Sequence, residues 1–169
     1  MKRARQPIPT RLREAPRWVR WEFVNGKKTP KQLSGRNASS TQPATWSDYT
    51  SVTDAAREDG RRGFVLNGDG IVCIDLDHCL KENGNIRLAA LELWMMAPVD
   101  TYIEVSPSGD GLHIWGTGRV RRGRRTSFHG QSVELYGTGR YMAVTGQRWA
   151  DSPSRLANIQ PLIDFIDSL

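Results

Sequence analysis

The run Ile71-Val72-Cys73-Ile74-Asp75-Leu76-Asp77 sets two carboxylates into an otherwise apolar strand. Successive strand residues point to opposite faces, so Asp75 and Asp77 share one face while Val72, Ile74 and Leu76 share the other. The apolar face belongs against a core, and two like charges on the opposite face need a cation or basic groups to offset them. Such a strand must lie between a core and a polar cleft.

Two further polar islands follow in apolar surroundings. In Val133-Glu134-Leu135, alternation sends Val133 and Leu135 to one face and Glu134 to the other, so a third carboxylate can project beside the pair. Asp75, Asp77 and Glu134 make an oxygen-donor set suited to Mg²⁺ or Mn²⁺, hard cations that keep several waters and lean on substrate phosphates. The other island is Ser106-Pro107-Ser108-Gly109-Asp110-Gly111-Leu112-His113. Gly109 and Gly111 permit positive φ and close approach of a ligand. Successive N–H groups of such a turn form an anion nest, to which Ser106 or Ser108 adds a hydroxyl. His113 opens the next strand, placed to donate to a phosphate oxygen. Singly, each island has a plainer reading: a strand end entering solvent, an edge-strand glutamate, a hairpin turn with a surface histidine. Taken together and in this order, they favour a metal-dependent site for nucleotide phosphates.

The formal charge of +6 is unevenly placed. Residues 1–36 hold eleven Lys and Arg against Glu14 and Glu22, a local net of +9, so the remainder sums to −3. Within that remainder Arg119, Arg121, Arg122, Arg124 and Arg125 form a second basic cluster. Clustered guanidinium and ammonium groups fit a polyanionic partner such as nucleic acid. Cys73 and Cys79 are too few for a disulfide framework and point to a reducing compartment. With no apolar run of membrane-spanning length and no signal-peptide core, the expectation is a cytoplasmic protein without a membrane partner.

Along the chain, residues 1–16 read as an extended basic arm rich in proline. Residues 17–24 read as a strand entering an Asn25-Gly26 hairpin, and 34–44 as a loop. Thr45-Trp46-Ser47-Asp48 resembles a capping box with Asp in place of Glu, opening a helix that closes near Gly60. Residues 63–66 and 71–77 are strands joined by Asn67-Gly68-Asp69-Gly70. The pattern predicts a helix from Ile86 to Met96, with Leu88, Leu91, Leu93 and Met95 on or near its buried side and Pro98 ending it. Residues 101–105 and 112–116 are strands, 119–130 a loop or short helix, 132–136 and 141–145 strands, and 159–168 a closing helix. This is an α+β pattern with largely antiparallel sheets. Trp18 and Trp21 read as core, and the strands show no paired aromatic platform.

The three islands in this order resemble the archaeo-eukaryotic primase superfamily, and most of all its bifunctional primase-polymerase branch in phage and plasmid replication proteins. The resemblance extends to Gly26-Lys27-Lys28-Thr29-Pro30, Ala44-Thr45-Trp46, Gly63-Phe64-Val65 and Gly139-Arg140-Tyr141-Met142-Ala143-Val144-Thr145-Gly146, and covers roughly residues 17–147. It implies a catalytic domain over 17–169 in two lobes. An α/β lobe, about 17–70, would pack against an RRM-like lobe with a mainly antiparallel sheet, about 71–169. Asp75, Asp77 and Glu134 would hold two divalent ions, Mg²⁺ or Mn²⁺. Ser106, Ser108, Gly109, Gly111 and His113 would hold the incoming triphosphate, with contacts from Lys28, Lys31, Arg140 and Tyr141. The Arg119–Arg125 cluster would suit template or primer backbone.

The partners so implied are single-stranded or primed DNA, dNTP or NTP substrates, and a fused or recruited helicase, inside a host cell if a phage encodes the chain. The chain has no room for the accessory domain that many such enzymes use to start a primer, so the expectation is a catalytic fragment of a longer replication protein. Two other readings compete: a metal-dependent nuclease, whose acidic cluster would look similar but which has no triphosphate tail to cradle, and a non-catalytic RRM-like nucleic-acid-binding module. Zinc is disfavoured, because Cys73, His78, Cys79, His113 and His129 contain no Cys-x₂-Cys pair.

Overall fold

Asn25 and Gly26 both take positive φ, 50° and 75°, as a two-residue hairpin turn that matches strand twist requires. They fold β1 (Trp18–Val24) back on β2 (Lys27–Lys31). The structure, a computed structural model, describes residues 7–169. On the other side of β1 lie β3 (Arg62–Asn67) and then β9 (Thr138–Ala143), giving a four-stranded sheet in the order β2-β1-β3-β9. A second sheet has the order β5-β6-β4-β8-β7, built from β4 (Ile71–Leu76), β5 (Ile103–Val105), β6 (Leu112–Thr117), β7 (Arg124–Phe128) and β8 (Gln131–Tyr136). Every strand pair is antiparallel, in keeping with the α+β class.

The turn after Asn67 does not close a hairpin. It carries the chain from the first sheet into the centre of the second, and Arg17 pins it through Asn67 Oδ1 and a 2.9 Å ion pair with Asp69. Since β9 returns to the first sheet from the far end of the chain, a boundary near residue 70 does not separate the two sheets.

Two cores follow from the alternation in β4. Val72, Ile74 and Leu76, with Leu112, Ile114, Val133 and Leu135 beside them, are covered by α3 (Leu88–Met96) and α4 (Gln160–Ser168) through Ala90, Leu93, Leu162, Ile163 and Ile166. On the opposite face Cys73, Trp115 and Tyr136 pack with Trp18, Phe64, Leu66 and Met142 of the first sheet, closing the sheets on each other. Ile8, Leu12 and Val52, from α1 (Thr10–Glu14), the turn before it and α2 (Tyr49–Ala55), complete this core.

Several local expectations are corrected. Residues 1–6 of the expected arm lie outside the described residues, but Thr10–Glu14 is helical and anchored by fully buried Ile8 and Leu12. The cap of α2 is Asp48, which accepts from the Ser51 N–H at 2.9 Å; Thr45 ends a 3-10 turn and spends its hydroxyl on the carbonyl of Gln42. In α3 the buried line is Ala90 and Leu93, continued by Ala97 just past its end, leaving Leu88 71% and Met95 76% exposed. Within 119–130 stands β7, paired to β8 through a second two-residue turn in which His129 and Gly130 both take positive φ.

Candidate active site

Strand order turns scattered polar residues into one line. Across the second sheet, Arg125 of β7 lies opposite Glu134 of β8, Glu134 opposite Asp75 of β4, Asp75 opposite His113 of β6, and His113 opposite Glu104 of β5. Directly opposed residues on neighbouring strands share a face. Five strands thus each contribute one charged or titratable side chain to a single row. One residue further along that face the sheet is core; at this row the sheets part and a cleft of about 650 Å³ opens, with Lys28, Pro30, Arg140 and Tyr141 on its opposing wall.

Glu104 anchors the row and is fully buried. It accepts from the Tyr102 hydroxyl at 2.8 Å, the Gly146 N–H at 2.8 Å, the Thr145 N–H at 3.1 Å and the Trp115 indole N–H at 3.3 Å. Its Oε1 also meets His113 Nδ1 at 3.2 Å, which fixes the ring and aims Nε2 at Asp75 Oδ1, 3.6 Å away. Burial opposes charging His113, but the bond to Glu104 and the charges of Asp75 and Glu104 outweigh it and raise its pKa. The same surroundings push the Tyr102 phenol and the Cys73 thiol up, burial being the main cause of each. The sequence reading missed Glu104, although Ile103-Glu104-Val105 repeats the apolar-Glu-apolar pattern of Val133-Glu134-Leu135.

Asp75 has its Oδ1 buried without a hydrogen-bond partner. Burial raises its pKa, with Asp77 and Glu134 adding to the rise and His113 and Lys28 opposing it. Asp77 lies just past the end of β4, where Gln131 holds its carbonyl at 2.7 Å. Gln131, a buried polar side chain, also went unnoticed in the sequence. The chain leaves β4 through His78, in left-handed conformation at φ 49°.

There the second island is clamped to the first. His78 Nδ1 meets Asp110 Oδ2 at 2.6 Å, Leu80 N–H donates to the Asp110 carbonyl, and Ser108 donates to Asp110 Oδ1 at 2.6 Å. Ser106 and Ser108 line the cleft, their hydroxyls 2.9 Å apart. Two of the turn's N–H groups are spent internally, that of Ser106 on the Gly111 carbonyl and that of Gly109 on the Ser106 carbonyl. Gly109 takes the expected positive φ, 85°, whereas Gly111 does not. A Cβ at Gly111 would lie 2.7 Å from Ser106 Oγ and 2.9 Å from the Leu76 carbonyl, so close packing accounts for that glycine.

Glu134 is 5% exposed on an interior strand, not an edge glutamate. Arg125 Nε pairs with its Oε1, the Tyr136 hydroxyl donates to Oε2 at 2.9 Å, and Arg140 stands 3.7 Å from Oε2 with its guanidinium 4.4 Å over the Tyr136 ring. Among the described residues no three His, Cys, Asp or Glu side chains are arranged to close on a cation by themselves. The donor chemistry still fits a hard cation: Asp75 offers a buried oxygen free of hydrogen bonds with Asp77 beside it, while the oxygens of Glu134 are held by cations and a hydroxyl.

The remaining expected residues divide. Lys28, Arg140 and Tyr141 face the cleft, and burial pushes the Tyr141 phenol up to about 12. Lys31 does not line it and donates to Asn37 instead. The arginine cluster is not one patch. Arg125 sits on Glu134, Arg124 donates to the Asp167 carbonyl of α4, and Arg119 and Arg121 border a depression with Asp164 and Asp167. Cys73 and Cys79 are buried free thiols. No helix among the described residues is long and apolar enough to cross a membrane.

In an alignment 137 residues long that covers 77% of the chain, it is 36% identical to a protein of Nitratiruptor phage NrS-1 named DNA Primase-polymerase. The matched stretch is 19% of that protein, so the chain spans about a fifth of the relative's length. No family model matches.

Proposed function

We propose, from the premise that the chain is a homologue of a phage DNA primase-polymerase, that its cleft performs template-directed nucleotidyl transfer. A primer 3′-hydroxyl would attack the α-phosphate of a bound dNTP or NTP, and pyrophosphate would leave. The observation that carries this reading is the Asp75 oxygen that is buried without a hydrogen bond, 3.6 Å from His113 Nε2 and with Asp77 beside it, in a row that also holds Glu134.

Asp75 and Asp77 would hold divalent metal, Mg²⁺ or Mn²⁺, and Glu134 would join a two-ion set by releasing Arg125. Bound there, the metal supplies charge neutralisation at the α-phosphate and acidifies the attacking hydroxyl. His113, its charged form favoured and its ring oriented by Glu104, would donate from Nε2 toward a phosphate oxygen. Ser106 and Ser108 offer hydroxyls from the neighbouring turn. Lys28 and Arg140, with Arg125 once released, set positive charge around the triphosphate. Tyr141, which lines the cleft and whose phenol stays protonated across the physiological range, would contact the sugar.

The first sheet with α1 and α2 would form the α/β lobe, and the second with α3 and α4 the RRM-like lobe. Partners would be single-stranded or primed DNA and, in a longer replication protein, a helicase. The row across five strands supports catalysis over a purely binding module, which has no use for a cluster of carboxylates around a buried oxygen that lacks a hydrogen bond.

The test is extension of a labelled primer on a primed template with Mg²⁺ or Mn²⁺, offering dNTPs and NTPs separately. The wild-type chain should lengthen the primer, and Asp75→Asn with Asp77→Asn should cut the rate more than about 100-fold. Shortened primer would identify a nuclease, and an inert wild type that binds DNA would leave the binding module.

A further inference from the structure

Outside the row, β1 carries an aromatic pair that the chemistry above does not use. Trp21 and Phe23, two residues apart and so on one face, meet edge to face with centroids 5.4 Å apart. Trp21 is 5% exposed, its indole N–H fixed on the Arg62 carbonyl, whereas Phe23 is 54% exposed. This departs from the expectation that the strands lack a paired aromatic platform. The Arg61 guanidinium lies 5.5 Å from the Trp21 centroid and 5.4 Å from that of Phe23, and the Lys28 ammonium lies 5.6 Å from Trp21. Asp59, the acidic group at this rim, has Arg20 3.7 Å away. Together these groups line a recess of about 440 Å³ whose far wall includes Pro107 and Ser108. Lys28, Pro107 and Ser108 border both this recess and the catalytic cleft, so one surface runs from the row to the aromatic pair.

The geometry points to a stacking slot for an unpaired base of a single-stranded nucleic acid, in the path of the strand that enters the cleft. This rests on the polymerase reading for the identity of the strand. An exposed ring on a rigid indole, flanked by two cations, is the combination that binds bases without regard to sequence: the π-face takes the base, and the cations take the flanking phosphate. A folding role does not account for Phe23, whose ring is more than half in solvent. A duplex keeps its bases in the stack and offers none to the slot.

The experiment titrates the chain into a fluorescein-labelled oligothymidylate, the same strand with abasic sites, and a duplex of equal length. Expected is a loss of about tenfold in single-strand affinity for Phe23→Ala, retention in Phe23→Trp, and no rescue in Phe23→Leu, which keeps apolar bulk without a π-face. Arg61→Ala should weaken the same strand and reduce its salt slope by about one. Abasic and duplex probes should be insensitive to Phe23, and free dTTP should not displace the strand. Unchanged single-strand affinity in Phe23→Ala, or an equal loss on duplex, overturns the slot. Primer extension by the same preparations separates the two readings. A Phe23-dependent strand affinity without any extension would leave the slot standing and remove the polymerase; extension with no Phe23 dependence would do the reverse.

Discussion

A carboxylate without solvent contact is tolerable only where hydrogen bonds replace its water, and Glu104 meets that condition on both oxygens. Its partner His113 then carries the charge toward Asp75. Glu104→Gln keeps the shape but turns an amide N–H₂ toward N–H donors, and leaves His113 without its counter-charge. The variant should lose about 3 kcal/mol in denaturant unfolding. It should also lower the His113 pKa toward the ordinary value near 6.5, read by NMR in EDTA. A His113 titration identical to wild type would show that Glu104 serves packing alone. His78 gives a second pH-sensitive contact. Its bond to Asp110, then that group's charge, raises the His78 pKa, while Asp110 is lowered by Ser108 and His78. The sign follows: the clasp is fully present below the unfolded histidine value of about 6.5 and is lost as pH rises through the higher folded value. In metal-free buffer His78 should titrate above 6.5, and Asp110→Asn should remove that upshift. Both histidines were visible as letters in the sequence, but what each one faces depends on strand partners that adjacency does not reveal.

Elements were legible where local chemistry decides them. Asn25-Gly26 dictates its own turn, alternation in Ile71–Leu76 assigns two faces, and Gln160–Ser168 has its apolar residues on one side. β7 was missed because Arg124–Phe128 lacks apolar alternation and is held by pairing to β8, a tertiary effect. The buried side of α3 was misread because Leu88 and Met95 are strongly apolar yet lie off the line of Ala90 and Leu93, and nothing local marks small alanine as the packed position. Of the row, Asp75, Glu134 and His113 were read as one site, but Glu104 and the seating of Arg125 on Glu134 were not, since they need the order β5-β6-β4-β8-β7, which sequence order scrambles. The turn between β5 and β6 allows two glycines to be contrasted. Gly111→Ala should cost about 1–3 kcal/mol through overpacking against Ser106 and Leu76, and under the proposed nucleotidyl transfer should raise the KM for triphosphate more than it lowers kcat because Ser106 must move. Gly109→Ala meets nothing within 4 Å and should cost about 1–2 kcal/mol of left-handed strain while leaving KM near wild type. Equal KM values in the two variants would detach Ser106 from nucleotide binding.

At the scale of the molecule, the cleft is held by a core that neither sheet owns. Trp18 packs edge to face on Phe64 at 5.3 Å, and Phe64 on Trp115 at 6.1 Å, a chain of rings from β1 through β3 into β6 of the other sheet. Arg17 lies over Phe64 at 4.7 Å and ties the crossover turn, while β9 returns from the second sheet to finish the first. Two sheets connected this way cannot unfold separately without exposing the ring chain. Tryptophan fluorescence and far-ultraviolet circular dichroism should therefore report one coincident denaturant transition. Phe64→Ala should lower stability by about 3–5 kcal/mol while keeping the two probes coincident. Leu162→Ala, in the other core behind β4, should cost about 2–5 kcal/mol and shift the same single transition, because β4 contributes to both cores. Two separated transitions in either variant would mean that the sheets are independent folding units. Coincidence would mean that the row and its opposing wall belong to one cooperative unit, joined by the shared core, in which Arg125 and Arg140 on Glu134 are the side chains at the row whose partners a bound polyanion would exchange.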